Sequence, residues 1–404
     1  MKILFVTPYV PSPVRVRPYH FVRCLAQEGH TVDVLSHVST EREWEDLHTL
    51  SEHERVSASG IRLPSWRPWL NCSLALLKGE SLWAAHGRSP RFSEAIRQNL
   101  YEGDYDVLHV EHIRSLFISP LLSQLRSESP RPKMIFDAVD CISALLSQYA
   151  ERPGSLLRRA IYRREAVKMR RTEPACAMLF DRVIVTSETE RQALAALMGD
   201  TGDCLEVVPN GVDLDYFRPS DTTPQEDTIL FSGRMSFYNN AEAARYFATD
   251  IFPLIKAQRP KTRLILAGAD PPSYLLNLDR RPDIEVTGYV EDLRPYLRRA
   301  SVIACPILTA VGVQNKVLEA MAMGKPVVGT PLVSRALSAQ QGKEIVIAEP
   351  EKGAFAKAVL SLLAEPESCR KLGLSARAYV ERVHHWANSA KRLTEIYQAG
   401  SAEV

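Results

Sequence analysis

Residues 309–328, TAVGVQNKVLEAMAMGKPVV, hold the side chains of this chain best suited to gripping an anion. Val317, Leu318, Met321 and Ala322 recur at helical spacing, and Gly324 follows, so the pattern predicts a helix over residues 314–323. A helix that starts after a glycine loop, here around Gly312, leaves unpaired amides at its positive dipole end, a ready phosphate site. Lys316 falls in the first turn, where a cation is unfavourable unless an anion neutralises it. Glu319, one turn on, is placed to accept hydrogen bonds from sugar hydroxyls. The plainer alternative is a buried crossover helix with one solvated Lys and one solvated Glu. Gly233-Arg234 directly follows the apolar run 229–232, which puts a guanidinium at a strand's carboxyl end. Arg234 and Lys316 then converge on one diphosphate, or Arg234 simply forms a strand-end salt bridge. Gly288-Tyr289-Val290 again follows a strand; Tyr289 with the backbone of Val290 suits a flat base, unless the ring packs in the core.

These residues need two frameworks to hold them. A chain of 404 residues exceeds one core, and its 45% hydrophobic and 24% charged content is that of a globular protein. A formal net charge of +2 gives no field for nucleic acid, so no nucleic-acid partner is expected. Seven scattered cysteines without C-x-x-C spacing read as reduced thiols of a cytoplasmic protein, and the chain has no metal-ligand spacing. Its apolar start is too short for a signal segment, and no run reaches the ~18 residues of a membrane span.

The βαβ opening, with strands at 2–7 and 31–36, predicts a parallel sheet. Further strands are expected at 107–110, 134–136, 182–186 and 205–208. After the turn 208–212 the rhythm restarts, with strands at 229–232, 263–267, 285–287, 302–304, 327–329 and 345–347. Familiar fingerprints are missing: no G-x-G-x-x-G after a strand, no Walker loop, no H-E-x-x-H and no G-x-S-x-G. Asp213-Leu214-Asp215 has D-x-D spacing but sits just after the turn, where a capped turn is the better reading.

The ordered pieces FSGRM, RLILAGADPP, VTGYVEDLRPYLRRASVIACP and GVQNKVLEAMAMGKPVVGT resemble the nucleotide-sugar domain of retaining family 4 glycosyltransferases with the GT-B fold. KILFVTPYVPSP, GHTVDVLSH, DRVIVTSETE and VVPNGVDLDYF extend the resemblance over nearly the whole chain. FDAVDCIS, SGRMSFYNN and QNKVLEAMAMGKPVV are similar to sugar transferases of exopolysaccharide systems. The resemblance implies an α/β protein of two facing Rossmann-like domains around a central cleft. Residues 1–209 would bind acceptor and 210–385 the nucleotide sugar, with a helix in 386–404 packing back on the first. It also implies departures. The second Glu of the E-x7-E motif matches Glu319, but the first falls on Val311, so the donor sugar would rely on Gly312, Val313 and Gln314. The family's phosphate Lys falls near Asn239, with Lys316 in its stead. Val14-Arg15-Val16-Arg17 stands where a Gly pair is usual, and Glu111 replaces a His, with His112 next.

The chemistry implied is metal-independent transfer, with retention, from a nucleotide-diphosphate sugar to a glycan or polyprenyl-phosphate-linked acceptor. No cofactor beyond that donor is expected. Arg234 and Lys316 would stabilise the leaving phosphate, with Glu111 and His112 as the other catalytic candidates. His109, Asp137 and Asp140 belong to the acceptor side, and Arg15 and Arg17 to an acceptor phosphate. Residues 152–171 form a basic segment suited to an anionic membrane, and the aromatic-rich segment 66–83 would add to it, which implies a peripheral position on the inner face of the cell membrane. An ordinary surface helix is the alternative there. Two other functions fit the same framework: a sugar-nucleotide epimerase or phosphorylase, and a catalytically degenerate GT-B scaffold that only binds.

Overall fold

Strands β1 (Lys2–Thr7), β2 (Thr31–Val38), β3 (Val56–Arg62), β4 (Val107–Glu111), β5 (Lys133–Val139), β6 (Arg182–Val185) and β7 (Leu205–Val207) form one parallel sheet in the order β3-β2-β1-β4-β5-β6-β7. The computed structural model describes residues 1–152, 155–199, 204–220, 227–309 and 312–399. β1 shows why the sheet is covered on both faces. Ile3 and Phe5 join one core cluster and Leu4 and Val6 another, all fully buried. The continuous apolar run of β1 is the imprint of those two layers. This unit comprises Met1–Pro209 together with Trp386–Val404. The helix Trp386–Gln398 closes one layer: Trp386 stacks on His20 at 5.0 Å, and Leu393 and Ile396 are buried beside Phe21 and Leu25. Lys133 Nζ also donates to Ile396 O at 2.7 Å.

The second unit, Asn210–His385, repeats the plan. β8 (Thr228–Ser232), β9 (Arg263–Ala267), β10 (Ile284–Gly288), β11 (Val302–Cys305), β12 (Val327–Gly329) and β13 (Val346–Ile347) are ordered β10-β9-β8-β11-β12-β13. All five pairings are parallel. Each strand expected from the sequence is present within two residues at either end, except at 134–136, where β5 runs on to Val139. β3 is the strand that patterning misses. It is an edge strand of sequence VSASGIR, with Ser57, Ser59 and Arg62 exposed, so no apolar run marks it. The Asp213 carboxylate accepts from the amides of Asp215 and Tyr216 at 3.2 and 2.9 Å, the capped turn expected of that D-x-D.

In each sheet the strand order reverses once, between β1 and β4 and between β8 and β11. Crossovers leave a reversal point toward opposite faces, so the carboxyl ends of those strands are left uncovered. At the second reversal two glycines bring backbones together. A side chain on Gly268 would lie 1.9 Å from Gly233 O, and Gly268 has φ +150°. Gly268→Ala is therefore expected to destabilise the second unit by about 1–3 kcal/mol beyond any backbone strain. Gly342, at φ +75° with nothing within 4 Å of its would-be Cβ, isolates the backbone cost alone, about 1–2 kcal/mol for Gly342→Ala. Urea denaturation of both variants checks the ordering; equal midpoints would contradict the close approach.

Candidate functional site

In the second unit, Gly233 leaves β8 at φ +147°, held by its N–H to Ala267 O at 3.0 Å. Arg234 follows, its side chain 45% exposed and paired with Asp270 at 3.3 Å. The strand-end salt bridge is thus present, but an exposed pair is worth at most about 1 kcal/mol and yields readily to a phosphate. Asn240 bridges the two predicted cations: its Nδ2 donates to Arg234 O at 2.9 Å, and its Oδ1 accepts from Lys316 Nζ. The Lys316 ammonium lies over the Phe231 ring at 4.8 Å and 3.0 Å from where a Gly233 Cβ would stand. Burial lowers the Lys316 pKa, while the neighbouring Glu319 and Cys305 oppose that shift. A partly desolvated ammonium gains strongly from an anion.

The helix spans Asn315–Ala322, close to its predicted limits, with Gln314 as an extended N-cap lacking a side-chain cap. The amides of Asn315 and Lys316 precede the first hydrogen bond of the helix, from Val317 N–H to Gln314 O. Gly312 has φ +66° and Val313 is 9% exposed. Val311 lies outside the described residues. The Glu319 carboxyl is half-buried and has no hydrogen bond or salt bridge among the described residues. Burial pushes its pKa up to about 7 against the pull of Lys316. Tyr289 is 67% exposed, which sets aside core packing, and Val290 beside it is half-buried.

In the first unit, Thr7 ends β1 and Glu111 ends β4, and the Thr7 hydroxyl reaches the Glu111 carboxylate at 2.7 Å. Burial and the charge of Asp137 push Glu111 up to about 7, against the hydroxyl of Thr7 and the charges of Arg17 and Arg15. Arg17 is 4% exposed: its Nε donates to Asp137 at 2.7 Å and its Nη1 to Val208 O at 2.9 Å. It holds the strand ends together, so the expected role on an acceptor phosphate does not fit it. Asp137 is fully buried under that guanidinium. His109 is likewise fully buried, stacked on Phe5 at 4.2 Å with Nδ1 2.7 Å from the Tyr397 hydroxyl. Burial and Arg17 hold its pKa down at about 3, so it is a neutral core histidine and not an acceptor ligand. Asp140 is half-buried and pushed up to about 7 by burial and by Glu190.

His112 follows β4 and Val139 ends β5, at φ +65° and +64°. Such conformations are costly for residues with a Cβ and concentrate at functional sites. The His112 ring packs edge-on to Tyr9 at 5.6 Å, and its Nδ1 accepts from Arg114 N–H at 3.2 Å, which leaves Nε2–H as a donor. Burial and the charges of Arg114 and Arg15 hold the ring neutral, its pKa near 3. Sequence reasoning missed Arg114. Its guanidinium lies 6.0 Å from the Tyr9 ring and 5.3 Å from Trp83, while Arg15 covers Tyr9 at 4.2 Å. Neither Arg15 nor Arg114 enters a salt bridge among the described residues, and the buried Nε of Arg114 lacks a hydrogen-bond partner. The signal available in the sequence was an Arg two residues past His112; only the turn shows that it shares the Tyr9 ring with Arg15.

Residues 14–216 match the model of Glycosyltransferase Family 4, and residues 226–365 that of Glycosyl transferases group 1. The chain belongs to family 4, and it is a glycosyltransferase of the GT-B fold class. It is 25% identical to a phosphatidyl-myo-inositol mannosyltransferase of Mycolicibacterium smegmatis, over 99% of this chain and 94% of that protein. Among solved structures it is similar to sucrose-phosphate synthase from Thermosynechococcus elongatus, with TM-score 0.71, 17% identity and 98% of each chain covered. Anabaena HepE in complex with UDP-glucose superimposes with TM-score 0.68, at 15% identity and 98% coverage of each chain.

Glu111 gives a test of the buried electrostatics. Folding raises its pKa from 4.5 to about 7, so the native state keeps this proton longer than the unfolded chain. The stability it contributes is complete below its unfolded pKa and is lost as pH rises through about 7. Relative to wild type, Glu111→Gln should gain on the order of 3 kcal/mol in unfolding free energy across that window. Parallel urea-unfolding profiles for the two proteins would refute the assignment.

Proposed function

We propose that this glycosyltransferase moves a sugar from a nucleoside diphosphate sugar, with retention at the anomeric carbon, to an acceptor that carries an anionic group. The observation that carries the reading is the pair Arg234 and Lys316, tied through Asn240 over Gly233 at the reversal point of the second sheet. Two cations and the first amides of the Asn315–Ala322 helix suit a diphosphate. Glu319, whose carboxyl has no hydrogen bond or salt bridge among the described residues, suits the ribose hydroxyls, and exposed Tyr289 with Val290 suits the base. Gly312, Val313 and Gln314 suit the sugar. HepE, described with UDP-glucose, supports a nucleotide-sugar donor.

In the reaction the bond from the anomeric carbon to the diphosphate oxygen breaks, and its electron pair stays on that oxygen. The acceptor hydroxyl oxygen bonds to the same face of the sugar, and its proton passes to the leaving phosphate. Arg234, Lys316 and the helix amides stabilise the growing negative charge, each such donor being worth about 3–4 kcal/mol. The charge is carried by fixed cations, so no metal is assigned a role. On the acceptor side Glu111, with its pKa near 7, accepts a hydrogen bond from the sugar or acceptor hydroxyl, and neutral His112 donates one through Nε2. Arg15 and Arg114 take the acceptor's anionic group, the role first expected of Arg15 and Arg17. Asp140 borders this side. A glycan or polyprenyl-phosphate-linked acceptor at the inner face of the cell membrane fits these cations, and the name of the mycobacterial mannosyltransferase specifies a phosphodiester lipid. A role in exopolysaccharide or cell-surface polysaccharide synthesis rests on the likeness of residues 136–143 and 232–240 to transferases of those systems.

Thermal stabilisation by nucleotides tests the donor half. One nucleoside diphosphate should stabilise the wild type, with affinity lowered about 10- to 100-fold in both Arg234→Ala and Glu319→Ala. Binding without turnover under any acceptor would instead favour the non-catalytic scaffold. With a turnover assay in hand, Arg114→Ala should raise KM for a phosphate-bearing acceptor about tenfold or more and change kcat little. An unchanged KM would free Arg114 from that role. The product anomer, read by NMR, decides retention, and undiminished turnover in EDTA is expected.

A further inference from the structure

The helix Arg67–Lys78 of the first unit is built inside out. Its inward face is Asn71 and Ala75, buried to 4% and 0%, and the Asn71 amide donates to His86 O and Arg88 O at 3.1 and 2.9 Å. Its outward face is apolar: Trp69 is 79% exposed and Leu77 84%, with Trp66, Leu70, Leu74 and Leu76 exposed alongside. A surface helix of a water-soluble protein has the reverse arrangement. Scattered apolar residues on a surface are ordinary, but six at helical spacing form a patch that calls for a cover.

The helix Leu156–Ala177 adjoins it. Arg164 Nη2 donates to Glu80 O at 3.1 Å, and Glu165 accepts from Leu82 N–H at 2.7 Å, so the turn after the inside-out helix rests on it. Its acidic residues, Glu165 and Glu173, are 1% and 4% exposed. All of its exposed charge is therefore cationic, including Arg158, Arg163, Arg170 and Arg171, none of them in a salt bridge among the described residues. Leu156 and Leu157 beside them are 78% and 71% exposed. The sequence presents residues 152–171 as the amphipathic element; in the structure the Trp/Leu helix supplies the apolar face and this neighbour the charge.

We propose that the outward face of Arg67–Lys78, with the cations of Leu156–Ala177, is a docking surface for an anionic lipid bilayer. Trp and Leu suit the headgroup boundary, and the exposed cations Arg158, Arg163, Arg170 and Arg171 suit acidic headgroups. A second copy of the chain fits poorly, since it would set the same cations against each other. The surface gives the peripheral location proposed above its contact residues, yet it stands on exposure and charge alone.

Co-sedimentation of the full chain, without nucleotide, with phosphatidylcholine vesicles and with phosphatidylcholine–phosphatidylglycerol vesicles tests it. Binding should favour the anionic vesicles by about tenfold or more and weaken with salt. Trp69→Ser with Leu77→Ser should lower binding to them at least about tenfold. Arg158→Ala with Arg163→Ala should erase most of the preference. Both double variants should keep wild-type melting temperature and nucleotide stabilisation, which separates this surface from the donor site. Equal affinity for both vesicle types, or variants that bind like wild type, would overturn the proposal. So would a wild-type dimer in gel filtration that Trp69→Ser with Leu77→Ser converts to monomer, which would assign the face to self-association.

Discussion

A parallel sheet whose strand order reverses leaves an uncovered crevice at that point, because the crossovers on its two sides depart to opposite faces. Both sheets of this chain reverse once, and the chemistry of each unit stands at the reversal. Thr7 and Glu111 end the two strands that flank the first. Gly233 follows one strand of the second, and Lys316 reaches it from the helix after the other. Thr7, Glu111, Gly233 and Lys316 are all placed by this one topological feature, so two units of different sequence arrive at sites of similar construction.

Electrostatics within the two sites differ in a way that matches the ligands proposed for them. In the second unit, Arg234 pairs with an exposed Asp270 and lies over the Phe237 ring, and Lys316 donates to a neutral amide. Cations kept so lightly suit the diphosphate proposed to bind there. In the first unit the internal charges are already spent: Arg17 is fixed between Asp137 and a backbone carbonyl. Its work is to let Asp137 stay buried without shifting further. The cations proposed for the acceptor are those over Tyr9, where the ring face holds a guanidinium without neutralising it.

The strained backbone at His112 and Val139 belongs to the same design. A residue in the right-handed or extended regions could not turn the chain so sharply at the end of a strand, and His112 N–H gains Asp137 O at 2.7 Å in return. The sharp turn also separates the fates of two histidines three residues apart. His109 enters the core and meets Tyr397, whereas His112 is half-buried, edge-on to Tyr9, with Nδ1 on the Arg114 amide.

Apolar runs and their spacing determined the strands of both sheets, the Asn315–Ala322 helix and the glycine loop before it, since burial on two faces leaves a continuous apolar imprint. The positions of Arg234, Lys316 and Glu319 beside the second reversal were legible for the same reason, since they sit at fixed offsets from those runs. Edge strand β3 was not, because half-exposed polar residues carry no such imprint. Nor was the division of labour among Arg15, Arg17 and Arg114. Three arginines look alike in sequence, and their roles depend on which carboxylate or ring lies within a few ångströms. Only tertiary structure decided that Arg17 is buried against Asp137, that Asn240 joins Arg234 to Lys316, and that the Trp/Leu face of Arg67–Lys78 points outward. Periodicity shows that a helix has an apolar face, but the packing of the rest of the chain determines where that face points.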